Sequence, residues 1–310
     1  MTFGTCVRDS EENAPGSDFP SLHRLLLDDL GIHQVAAVIG GSMGGMLALE
    51  WAYFGKNYVR CIVAVATSSH QSAWGIGWDE VQRQAIYSDG KYKNGRYSFD
   101  DPPVGGLEAA RMAALLTYRS RDSLEDRFGR DAPSKKVKST NGNGKSLGSQ
   151  EEPNGNRHHP ELPPSNGVFF QLVANERPSA LESTDCHFSA QSYLRYQARK
   201  FSNRFDSNCY IALTHKLDSH DVSRGRADTI DEALSLIQQP TLVLGVRSDG
   251  LYTLSEQERI ARCIPNAILR EIMSHDGHDA FLIESHQLNW LMIGFLFDHL
   301  PGIIRKAELA

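Results

Sequence analysis

Ser42 stands in the run Gly40-Gly41-Ser42-Met43-Gly44, a G-x-S-x-G spacing. Glycines on both sides of a serine let the backbone take a sharp strand-to-helix turn that lifts the hydroxyl out of a sheet edge. A serine hydroxyl is a poor nucleophile until a histidine takes its proton, and that histidine needs a carboxylate to fix its tautomer. Both partners follow in the chain order serine, acid, histidine: Asp249 in Val246-Arg247-Ser248-Asp249-Gly250, and His278 in His275-Asp276-Gly277-His278-Asp279. The backbone N–H of Met43, at the start of the following helix, is the expected oxyanion donor. His275 competes with His278 for the base, and two histidines three apart on a helix also suit a metal. The intervening Asp276-Gly277 reads as a turn, and no further ligand cluster is visible, so His278 is the preferred base and no metal is expected.

These residues need elements to hold them. Leu22, Leu25, Leu26, Leu27 and Leu30 recur near helical spacing, and Gly31 ends that helix. A strand is predicted over residues 35–39, a helix over 43–54 closed by Gly55, and a second strand over 61–66, apolar on both faces as in a parallel sheet. Strand, helix, strand in that span is a βαβ unit. Helices are predicted at 78–87, 106–118 and 192–215. Residues 241–246 and 268–273 read as further strands flanking a helix at 255–263, and 288–299 reads as a closing apolar helix. Both the acid and the base follow a predicted strand. Residues 131–168, rich in Gly, Asn, Ser, Pro and Lys, have almost nothing to bury and read as a disordered surface insertion. The layout is an α/β core in two parts, 1–71 and 226–310, separated by a helical lid over 72–225 that carries the insertion.

Composition narrows the function. The 310 residues are 40% hydrophobic and 23% charged, which is globular. No apolar run approaches the ~20 residues of a membrane-spanning helix, and residues 1–6 lack a signal-peptide pattern. A cytoplasmic protein is expected. Thirty-eight acidic against 32 basic residues give a net charge of −6, without the basic face of a nucleic-acid binder, so small molecules are the expected partners. Cys6, Cys61, Cys186, Cys209 and Cys263 are scattered and odd in number, and are expected to be reduced, mostly buried thiols.

The run Gly40-Gly41-Ser42-Met43-Gly44-Gly45-Met46 with Leu49-Glu50-Trp51 resembles the elbow of the homoserine O-acetyltransferases, in the α/β-hydrolase fold. Further similar runs are Gly106-Leu107-Glu108-Ala109-Ala110-Arg111, Leu116-Thr117-Tyr118-Arg119-Ser120, Ser192-Tyr193-Leu194-Arg195-Tyr196-Gln197, Arg204-Phe205-Asp206 and Asp276-Gly277-His278-Asp279-Ala280-Phe281-Leu282. Asn208-Cys209-Tyr210-Ile211-Ala212-Leu213 resembles the fungal type, and the likeness spans about residues 19–298 apart from the insertion. It implies that Ser42 takes an acetyl group from acetyl-CoA, a co-substrate rather than a bound cofactor, and passes it to the hydroxyl of homoserine, in methionine biosynthesis. His278 would be the general base, oriented by Asp249. Arg111 would grip the acceptor's carboxylate and Asp279 its ammonium, a guanidinium fork being suited to a carboxylate. A homodimer joined through the lid is also implied. The deacetylcephalosporin C acetyltransferases share nearly all these motifs, so they leave the acceptor alcohol open. A serine esterase and an inactive fragment remain alternatives.

One departure from the family stands out. In that fold the elbow follows the fifth strand, yet only 34 residues precede Val35, too few for four strands of ~5–6 residues with crossovers of a dozen or more. The family's His-x-Leu-Thr-like oxyanion stretch is not found either. The expectation is an N-terminally incomplete sheet, an exposed apolar edge on the first strand, and a turnover reduced ~10²- to 10³-fold by the missing oxyanion donor.

Overall fold

The computed structural model describes residues 18–131 and 187–303. The stretch 131–168 read as an insertion lies outside the described residues apart from Asp131, as do Cys6 and Cys186. Helix α1 (Asp18–Asp29) leads into strand β1 (Val35–Gly41), helix α2 (Met43–Ala52) and strand β2 (Val59–Val65). Helices α3 (Ala73–Tyr87), α4 (Val104–Tyr118), α5 (Arg121–Phe128), α6 (Ser189–Ser202) and α7 (Ser207–Asp218) follow among the described residues. The chain closes with α8 (Ile230–Ser235), β3 (Thr241–Val246), α9 (Leu254–Cys263), β4 (Ala267–Ile272), α10 (Ala280–Ile283) and α11 (Ser285–His299).

The described strands form one parallel sheet in the order β1-β2-β3-β4. Alternation along them fills two cores. Ile62, Ala64 and Val243 meet Leu49 and Ala52 of α2, Leu234 of α8 and Ile260 of α9 on one face. Cys61, Val63, Val65, Leu242, Leu244 and Val246 meet Ala280 and Phe295 on the other. Both faces being covered explains why β2 and β3 read as continuous apolar runs. On the β1 side no described strand continues the sheet, and Ile39 is about half exposed, as the edge expectation has it.

The residues 192–215 predicted as one helix are two. Asp206 breaks the run because its carboxylate accepts from Cys209 N at 3.0 Å and caps α7, an arrangement open to it only outside a helix interior. Cys209 also departs from its expected burial. The inward face of α7 is set by Tyr210, Ile211 and Thr214, which leaves the Cys209 thiol exposed. Cys61 is buried, and burial pushes its thiol up to about 11. Among the described residues no helix is long and apolar enough to cross a membrane.

Candidate active site

The ends of three strands converge. Ser42 follows β1, Asp249 follows β3 and His278 follows β4, all at the carboxyl edge of the parallel sheet, where loops are free to vary without disturbing the ladder. Ser42 has φ 57° and ψ −125°, a left-handed backbone that a residue with a Cβ adopts at a cost of ~1–3 kcal/mol. Its surroundings impose the turn. Ser42 N donates to Val65 O at 2.9 Å, Thr67 Oγ1 donates to Ser42 O at 2.8 Å, and Gly45 N and Met46 N reach the same carbonyl at 2.9 and 3.2 Å.

The neighbouring glycines are not equivalent. A Cβ on Gly40 would lie 1.9 Å from Gly44 O, one on Gly41 would meet the Phe281 ring at 2.6 Å, and one on Gly45 would meet Thr67 Cβ at 2.6 Å. A Cβ on Gly44, the last glycine of the motif, would touch nothing within 4 Å. The close approach that the spacing implies is therefore made at Gly40, Gly41 and Gly45.

The elbow aims the hydroxyl at a histidine. Ser42 Oγ lies 2.9 Å from His278 Nε2, and His278 Nδ1 lies 2.7 Å from Asp249 Oδ2. An ionised carboxylate only accepts, so Nδ1 carries the proton and Nε2 presents its lone pair to the serine hydroxyl. Asp249 is itself fixed, because its Oδ1 accepts from Leu251 N at 2.8 Å and Tyr252 N at 3.0 Å. Asp249 and His278 are buried, which strengthens these bonds by excluding water. The imidazole is wedged between rings, with Tyr252, Phe281 and Tyr118 centroids 5.3, 5.4 and 6.0 Å away. Such an array can move a proton from a serine to a histidine and hold an acyl group on the serine.

The remaining residues expected at the site sort as follows. Met43 is the first residue of α2, next to Ser42, so its N–H has no partner within the helix. His275 is mostly exposed and turned toward Asp126 at 3.5 Å, away from the serine. Among the described residues no group of three His, Cys, Asp or Glu side chains is arranged for a metal ion. Asp279, next to His278, is half-buried; burial raises its carboxyl above the ordinary value, against the pull of Arg119, His278 and Arg111. Arg111 on α4 lies over the rings of Phe201 and Tyr118, 4.6 and 5.4 Å from their centroids. It reaches the site through Tyr118 rather than by touching the serine.

A small cleft, open to solvent, lies over Ser42; Tyr118 lines it, together with residues that no motif singles out: Gln71, Trp78, Asp79 and Tyr252. One sequence signal points to part of it. Asp79, Gln82, Arg83 and Ile86 fall at i, i+3, i+4 and i+7 and form the buried face of α3, so a mostly polar helix stripe is turned inward.

A parallel sheet with a strained serine at the end of one strand and its acid and base at the ends of two others defines an α/β-hydrolase-fold enzyme, and the alpha/beta hydrolase fold family matches residues 16–285. Sequence relatives narrow this to one family. Homoserine O-acetyltransferase FUB5 of Fusarium oxysporum f. sp. lycopersici is 65% identical over 304 residues, 95% of this chain and 79% of that protein. The homoserine O-acetyltransferase of Emericella nidulans is 48% identical, over 96% of this chain and 69% of the relative. The chain belongs to the homoserine O-acetyltransferase family, a family of acyltransferases. Among solved structures, the homoserine O-acetyltransferase of Bacillus anthracis superposes with a TM-score of 0.69 at 19% identity, covering 91% of this chain and 65% of that one. Esterase E22 superposes with 0.68 at 20% identity, covering 91% and 66%. The chain thus spans about two thirds of the length of these solved structures, and at such identities they show the fold alone.

Proposed function

We propose that this chain transfers an acetyl group from acetyl-CoA to the hydroxyl of L-homoserine through an acetyl-Ser42 intermediate. The observation that carries the proposal is the hydrogen-bonded series from Ser42 Oγ to His278 at 2.9 Å and on to Asp249 at 2.7 Å, on a chain 65% identical to a homoserine O-acetyltransferase. In the first half-reaction Ser42 Oγ attacks the thioester carbonyl while His278 Nε2 takes its proton. The Met43 N–H faces the oxygen that becomes negative, the C–S bond breaks, and the thiolate leaves with the proton from His278. In the second half the acceptor hydroxyl gives its proton to His278 and attacks the acetyl carbonyl. Collapse frees the ester, and the proton returns to Ser42. Asp249 stays ionised throughout, holding the tautomer and stabilising the imidazolium.

Arg111 is proposed to take the acceptor's carboxylate and Asp279 its ammonium, with the Arg111 fork already backed by the Phe201 ring. The pathway served is proposed to be methionine biosynthesis. The test is intact-mass spectrometry of the folded chain mixed with acetyl-CoA alone. A single acetyl adduct is expected, absent in Ser42→Ala and discharged by L-homoserine faster than by water. A folded chain that gains no adduct, or whose adduct persists in Ser42→Ala, overturns the proposal; discharge by water alone at the same rate marks an esterase.

A further inference from the structure

Asp79 is a carboxylate that the acyl-transfer chemistry does not use, yet it lines the same pocket as Ser42. It projects from α3, is about 6% exposed, and its Oδ2 accepts from Gln71 Nε2 at 2.9 Å. Gln71 is held in turn by the Tyr252 hydroxyl, which donates to its Oε1 at 3.2 Å, and Tyr252 is one of the two residues whose N–H groups fix Asp249. The acid is therefore tied to the catalytic loop and kept at a fixed place in the pocket. The surrounding walls are aromatic: Trp78, Tyr118 and Tyr252 line the cavity beside it. A buried carboxylate beside aromatic faces, at the wall of a cleft over the serine, is the chemistry that recognises an ammonium group.

The proton balance around Asp79 agrees with this. The groups facing it are Asp218 and Tyr210 of α7, Arg83 of its own helix, Tyr118 of α4 and Tyr252. Burial pushes its pKa up to about 7, and the neighbouring Asp218 charge pushes the same way, against Gln71 and Arg83. Asp218 Oδ1 is buried and accepts from no described donor, which a proton held on Asp79 satisfies. An entering cation replaces that proton as the counter-charge, and the proton leaves to solvent.

We infer that Asp79 is an acceptor-specificity residue, a carboxylate that receives the ammonium of the amino-acid acceptor from the α3 wall, in addition to Asp279. This rests on the proposed amino-acid acceptor, and the experiment separates the two. Calorimetric binding of L-homoserine and of 4-hydroxybutanoate, which lacks the ammonium, is measured without donor in wild type and Asp79→Asn. The isosteric amide keeps an acceptor for Gln71. Wild type is expected to bind homoserine the more tightly, and Asp79→Asn to weaken homoserine ~10- to 100-fold while changing 4-hydroxybutanoate little. In wild type the homoserine Kd is also expected to tighten as pH rises from 6 to 8, with proton release, and the 4-hydroxybutanoate Kd is not. This arm holds even if Asp79→Asn fails to fold. Equal weakening of both ligands, no weakening of either, or a pH-independent preference overturns the role of Asp79. Acetylation of Ser42 by acetyl-CoA alone reports separately on the proposed function.

Discussion

Arg119, at the C-terminal end of α4, and Asp276, two residues before His278, form a buried ion pair of 2.6 Å between the helical segment and the loop that carries the base. Ser123 Oγ completes it, donating to Asp276 Oδ1 at 2.6 Å and accepting from Arg119 Nη2 at 2.6 Å. The backbones are equally close, since a Cβ on Gly277 would lie 2.5 Å from Ser120 N. The α4–α5 corner is thus a wall against which the histidine loop is set.

Asp276→Asn leaves the Arg119 charge buried without its counter-ion, which costs on the order of 3 kcal/mol. Thermal or urea unfolding is expected to show that loss, and kcat to fall with it because the His278 loop loses its anchor. Unchanged stability and kcat would reduce the pair to a bystander.

The same pair gives a pH dependence. Burial works against ionised Asp276, but the Ser123 hydroxyl and Arg119 outweigh it and hold the carboxyl below its ordinary value. Because the folded-state pKa lies below the unfolded value of about 3.9, its contribution is present above that pH and is lost as pH falls through the lower folded value. Acid unfolding of wild type is expected to show this extra slope below about pH 4, and the Asp276→Asn curve to lack it.

The two outer glycines of the elbow are expected to part company under mutation. Gly40→Ala drives a methyl to 1.9 Å from Gly44 O and is expected to abolish the elbow, costing ~3 kcal/mol or more and all measurable acylation. Gly44→Ala meets open space inside a helix and is expected to be neutral or stabilising by up to ~1 kcal/mol. Melting curves of the two variants measured side by side decide it.

Asp249→Asn keeps the shape but lets an amide donate toward Nδ1, favouring the tautomer whose Nε2 carries the proton. Acylation of Ser42 is expected to slow ~10⁴-fold with little change in stability. Stopped-flow release of free CoA thiol reads the rate, and a loss under tenfold would remove Asp249 from the mechanism.

Ile39, about half exposed on the edge strand β1, is a point at which copies can meet. Ile39→Lys is expected to lower self-association in light scattering at a Tm within a few degrees of wild type.

Much of the site was legible in the chain itself. Glycine spacing, apolar runs and the order Ser42, Asp249, His278 follow from local chemistry: a turn needs certain residues, and a parallel strand buried on both faces needs an apolar run. The described helices between β2 and β3 were only partly readable, because Asp206 caps a new helix where periodicity continues, and the strand edges shift by a residue or two. The Asp276-Gly277 turn already favoured His278 over His275, and the fold adds where each ring goes, His278 to Ser42 and His275 to Asp126. Other features required the folded chain. Gly45, not Gly44, proved the crowded glycine, because Thr67, just past the end of β2, packs against it. The pairing of Arg119 with Asp276 and the placing of Asp79 over Ser42 join residues far apart in sequence, and no local pattern encodes such distances. Local sequence set which groups carry the chemistry; packing between distant segments set which way each one points and what charge surrounds it.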